Sequence, residues 1–133
     1  VVSNLTLKRL ANMSKSTTIN PTLYIANAFS VNMLIGMECG MMKGVVFEKV
    51  TLGRARELVN CNKEIISSAV GHVDTAAVIS SLLETQIPVN RISVKLVPGS
   101  YLLLGQFSGA RLPEGCTTLP QDATIDWYLV TTN

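Results

Sequence analysis

The sequence predicts a single α+β domain, with a mixed, largely antiparallel sheet of about five strands and two main helices. Three observations carry that reading. Apolar residues make up 47% of the 133 residues, enough for one core and too short a chain for two. Short runs rich in strand-forming residues recur along the chain, bounded by Gly, Pro and Asn. Between them, two stretches space their apolar residues as helices do. No internal repeat is present.

Residues 1–20 are polar and irregular up to Pro21, and are expected to form a flexible N-terminal tail ahead of a domain at 21–133. Val1 is not a normal first residue, so Met13 as the effective start, a leader or a fusion scar each fit this segment. Thr22–Asn27 reads as a strand entered at Pro21. Ala28–Leu34 mixes small, polar and apolar residues, as a turn or short helical bend does. Gly36, Gly40 and Gly44 break up the following loop.

Val45–Val50 is the second strand, and Thr51 can cap a helix over Leu52–Asn60, ended by Asn60–Asn62. Glu64–Val70 is ambiguous. A second helix carries Ala76, Val78, Ile79, Leu82 and Leu83 at helical spacing, with Asp74 or Thr75 as its cap and Pro88 as its stop. Ile92, Val94 and Leu96 alternate with Ser93 and Lys95, which predicts a half-buried strand over Ile92–Val97. Pro98–Gly99 then turns the chain into a returning strand, Tyr101–Phe107. Ser108–Pro120 reads as a long functional loop, and Ile125–Thr131 as the last strand.

The composition excludes several classes. Charged residues are 15% and the net charge is +2, with no basic stripe of the kind that tracks duplex DNA. A small anion held at one focused site is compatible with that balance. Cys39, Cys61 and Cys116 are odd in number and far apart, without a CxxC pair, which argues against a disulfide framework or a structural zinc and for a reducing cytoplasm. The most apolar stretch, 24–42, is interrupted by Asn27, Asn32 and Glu38, so no membrane span is expected. A P-loop, GxGxxG, HExxH and serine elbow are all missing.

His72 is the only histidine, and it stands after Gly71 just ahead of the second helix. A helix start offers backbone N–H groups and a positive dipole end, an anion site beside which an imidazole is placed to act on a phosphate as a general acid. On spacing alone, a lone histidine packed or exposed at a helix start is the commoner case. Arg111 and Glu114 lie between Gly109 and Gly115. There the guanidinium can grip a phosphate and the carboxylate can orient it or a sugar hydroxyl, or the pair can be an ordinary surface turn. Asn27, Ser30 and Asn32 follow the first strand, as ligand contacts or as turn formers.

Four segments in order, YIANAFSVNML, SAVGHVDTAAVISSLL, PVNRISVKL and GARLPEG, resemble the viral anti-CRISPR ring nuclease family. These are small proteins of archaeal viruses, phages and prophages, with cellular relatives in type III CRISPR loci, that degrade cyclic tetra-adenylate. The resemblance covers Thr22 to Val130. It implies a homodimer in the host cytoplasm that binds the ring across its two-fold axis, with no duplex DNA or membrane as partner. It also implies a metal-independent reaction with no cofactor. A ribose 2′-OH attacks the adjacent phosphorus and the histidine protonates the departing 5′ oxygen, leaving linear di-adenylate with a 2′,3′-cyclic phosphate. His72 matches the catalytic histidine, and Arg111 and Glu114 match the loop pair that steadies the phosphate and the histidine or ribose. Asn27, Ala28, Phe29, Ser30 and Asn32, with Gly71 and Thr75, match the ligand-lining positions. The sequence departs from the family pattern at GHVDT, where viral members read closer to GHDST, and at Pro113. The alternative is a module that binds a cyclic nucleotide without cutting it.

Overall fold

Strand β1 (Leu23–Ala26) lies inside the sheet, with Leu23, Ile25 and Ala26 buried. The computed structural model describes residues 22–37, 39–109 and 111–133, so the tail expected at 1–20 lies outside the described residues. After β1 come a short 3₁₀ turn (Val31–Met33), strand β2 (Val45–Val50) and helix α1 (Leu52–Cys61). A second 3₁₀ turn (Lys63–Ile65) leads into β3 (Ile66–Ser68), and the order closes with α2 (Val73–Leu83), β4 (Tyr101–Ser108) and β5 (Thr124–Thr132). The five strands form one sheet in the order β2-β5-β4-β1-β3. β1 runs parallel to β3 and β4, while β5 is antiparallel to β4 and β2; the antiparallel pairings are the longer ones.

The helices pack on one face. Ala55, Leu58 and Val59 of α1 and Ala76, Ile79 and Leu83 of α2 bury against Leu23, Ile25, Leu103, Trp127 and Leu129. Both helices start where a side chain accepts from the third turn residue or earlier: Thr51 Oγ1 takes the Arg54 N–H at 3.2 Å. α2 ends at Leu83 because Glu84 adopts the left-handed conformation (φ 55°), five residues' reach before the predicted stop at Pro88 matters. The opposite face of the sheet, with Ala26, Leu102, Leu104 and Val130, carries no α-helix among the described residues and is covered by Val94, Leu96 and the bend after β1.

That cover corrects one expectation. Residues 92–97 are not a strand, and Tyr101–Ser108 is not the return of a hairpin with them. The alternation marked burial only in part: Val94 and Leu96 are buried while Ser93 and Lys95 are exposed, but Ile92 is exposed as well. The segment lies across the sheet instead of joining its ladder, held at Leu96, whose N–H donates to Met33 O (2.7 Å) and whose carbonyl accepts from Ile35 N–H (2.9 Å). Period-two burial reports one covered side and says nothing about lateral pairing. The turn itself is present, closed by Ser100 N–H to Val97 O at 3.1 Å.

Candidate functional site

The three mutually parallel strands β1, β3 and β4 run toward the same rim, β4 continuing past Leu104, the partner of Ala26, to Ser108, and each leads to one candidate there. β1 runs out into Asn27, β3 leads through Gly71 to His72, and β4 runs into the loop with Arg111. Open sheets bind ligands beyond the carboxyl ends of parallel strands for this geometric reason: successive connections leave from one rim. A cleft of about 250 Å³ lies at this rim, lined by Asn27, His72, Thr75 and Arg111 over a floor of Ile79, Gly105 and Phe107.

Gly105 keeps that floor low. A Cβ there stands 2.9 Å from Trp127 Cζ3 and 3.3 Å from Ile125 Cγ2, and Trp127 is only 3% exposed, so the indole cannot swing aside. Gly105→Ala is expected to lower stability by about 1–3 kcal/mol through overpacking, read from urea unfolding midpoints.

His72 is itself the N-cap of α2, which corrects the expectation of Asp74 or Thr75 in that role. Its Nδ1 accepts the Asp74 backbone N–H at 3.3 Å. An imidazole nitrogen can stand in for the usual cap oxygen because it carries an in-plane lone pair. Since the amide can only donate, the ring hydrogen belongs on Nε2, and Nε2 is the nitrogen left for the cleft. One N–H of the helix start is therefore taken by the histidine rather than free for an anion.

The loop that carries Arg111 is tied to this helix start, where Gly115 N–H donates to Asp74 Oδ2 at 3.2 Å. Behind His72, Arg91 donates from Nε (3.3 Å) and Nη2 (3.1 Å) to the Gly71 carbonyl. Asn90 adds Nδ2 to Ser68 O at 2.8 Å and its N–H to Val70 O at 2.7 Å. These contacts pin the connection from β3 to α2. Asp74, Arg91 and Gly105 had no place in the sequence-based site. Only the polar pair Asn90-Arg91 gave a local signal, and it reads equally as the start of a strand.

The other candidates stand outside the cleft. Ser30 Oγ accepts Asn32 N–H at 3.2 Å and so caps the 3₁₀ turn. Phe29 packs edge-on against Phe47 at 5.1 Å between centroids. Ala28 and Glu114 are exposed, and Gly71 serves Arg91. Among the described residues, no group of three or more His, Cys, Asp or Glu side chains is arranged to hold a metal, and no helix is long and apolar enough to cross a membrane.

The chain matches the family model described as STIV B116-like over residues 23–125. A protein called uncharacterized protein 26, from Sulfolobus islandicus filamentous virus (isolate Iceland/Hveragerdi), is 37% identical over 94 residues, covering 70% of this chain and 73% of the viral one. The solved structure of B116 from Sulfolobus turreted icosahedral virus superposes with a TM-score of 0.71 at 25% identity, over 83% of this chain and 98% of that one. The family match at residues 23–125 takes in β1 to β4, both helices and the positions of Asn27, His72 and Arg111, and ends as β5 begins. The chain belongs to the STIV B116-like family of small archaeal virus proteins.

Proposed function

We propose that this protein is a metal-independent ring nuclease that opens cyclic tetra-adenylate, works as a homodimer, and thereby switches off type III CRISPR signalling. The observation that carries the reading is the convergence of His72, Arg111 and Asn27 on one cleft from three separate parallel strands. Side chains 84 residues apart in the chain, from Asn27 to Arg111, gather where a phosphodiester needs a proton donor, a cation and an amide. The cleft is smaller than the roughly 300–1,000 Å³ of ordinary ligand sites, which suits one nucleotide unit of a larger ring. Two such clefts related by a two-fold axis match a symmetric ligand.

In this mechanism the O2′–P bond forms as the P–O5′ bond breaks. The 2′-hydroxyl proton goes to water and a proton from His72 Nε2 goes to O5′, after which the ring is reprotonated from solvent. Nδ1 takes a proton from solvent as Nε2 releases its own, and gives it back when Nε2 is reprotonated, so the contact to Asp74 N–H, already long at 3.3 Å, opens during the transfer and re-forms after it. Arg111 faces the phosphate, and much of the acceleration comes from holding the 2′ oxygen in line.

Incubation with cyclic tetra-adenylate in EDTA is expected to give linear di-adenylate with a cyclic phosphate end. Arg111→Ala is expected to lose about tenfold or more in kcat/KM, the worth of one charge-assisted contact. Intact ring, recovered bound to the parent protein, would make the cleft a binding module instead. The capping role of His72 favours that second reading, because it supplies a structural reason for the residue.

A further inference from the structure

We infer that Asp74 is a positioning residue that couples the histidine to the arginine loop, an inference that rests on the ring-nuclease reading. Asp74 does not line the cleft, yet it touches both of the elements that do. Its backbone N–H meets His72 Nδ1 at 3.3 Å, which sets the tautomer of the resting ring. Its carboxylate Oδ2 accepts from Gly115 N–H at 3.2 Å, across 41 residues of sequence. Hydrogen bonds inside the loop, Cys116 N–H to Pro113 O and Ala123 N–H to Pro120 O (both 3.1 Å), are local turns that shape it without fixing it over the cleft. Asp74 supplies a long-range tie. A carboxylate in the first turn of a helix is favoured by the helix dipole, and an ionised acceptor strengthens the bond to the loop amide. The side chain is turned toward the loop, so its charge is engaged there and not set against an incoming phosphate.

The consequence is that the loop is ordered before the ring arrives. Without the tie, that ordering is charged to binding, so KM rises while the bound complex reacts nearly as before. Asp74→Ala is expected to raise KM for cyclic tetra-adenylate roughly 3- to 10-fold with little change in kcat. Asp74→Asn keeps an oxygen for the Gly115 amide and is expected to restore most of the KM. In the ligand-free protein, hydrogen exchange at the Gly115 amide is expected to quicken in the alanine variant and to stay near the parent rate in the asparagine variant.

The arms separate the two ideas. A parent enzyme that cuts the ring, with an alanine variant unchanged in KM, overturns the role of Asp74 and leaves the nuclease reading standing. A parent that cuts nothing ends the nuclease reading, and the positioning role with it, whatever the Gly115 amide does. Unchanged Gly115 exchange in Asp74→Ala overturns the tie directly, without reference to activity.

Discussion

His72→Asn is expected to reduce ring cleavage by roughly 10²–10⁴-fold while leaving the fold and ring affinity close to the parent. The choice of asparagine follows from the site. His72 both caps α2 and faces the cleft, so alanine removes two things at once. An asparagine side-chain oxygen is among the best acceptors at a helix start, and it can take the Asp74 N–H that Nδ1 now holds. It has no proton to give to a departing alkoxide. His72→Ala serves as the companion: it is expected to lose turnover equally and to lose about 0.5–1 kcal/mol of stability besides, since the contact it removes is long. Single-turnover rates on labelled ring, ring affinity and thermal melts decide the matter. Turnover near the parent's in the asparagine variant would reduce His72 to a cap and leave the cleft as a binding site.

How far this site could be seen in the sequence depends on the kind of signal each residue carries. His72 was visible because it is a single histidine beside a glycine and a helical pattern. Arg111 was visible because two glycines frame it. Their meeting was not visible in spacing, because it depends on β1, β3 and β4 being parallel, and parallel order is a property of long-range pairing. The fold shows the same division. Val45–Val50 and the start of α1 at Leu52 lie where propensity and the Thr51 cap put them, as both signals are local. Residues 92–97 carry a strand's pattern without forming one, because an apolar alternation fits both a strand and an extended segment lying flat on a sheet. Ser30 and Asn32 are polar residues after a strand that serve each other in a turn; nothing in their identity separates that from ligand contact. Asp74 is the reverse case, a residue whose backbone and side chain face different partners, of which sequence suggested only a cap.

Gly109→Ala is expected to destabilise the protein by about 2–5 kcal/mol, on the order of 10 °C in melting temperature, and to lower ring cleavage at least as far as Arg111→Ala does. Gly109 sits at the base of the Arg111 loop with φ 132°, a conformation L residues rarely adopt. A Cβ there stands 2.9 Å from Ala123 Cα and 3.1 Å from Asp122 O. Those are backbone atoms on the returning limb of the loop, and no rotamer change relieves the overlap. The two limbs must separate, or β4 must shift against β5, whose pairing ends at Ser108 and Thr124 beside this point. Gly99→Ala isolates the strain from the clash. Gly99 has φ 88° but nothing within 4 Å of its would-be Cβ, so the change there is expected to cost about 1–2 kcal/mol and to leave activity intact. A separated loop base moves Arg111 relative to His72, and a displacement of about 1 Å in a reacting assembly lowers rate by about 10²-fold. Equal stability losses in the two variants would show that the limbs tolerate a methyl between them. A Gly109→Ala protein that is destabilised yet cuts at the parent rate would show that Arg111 is held from the Gly115 end alone, by Asp74, and not from the base of its loop.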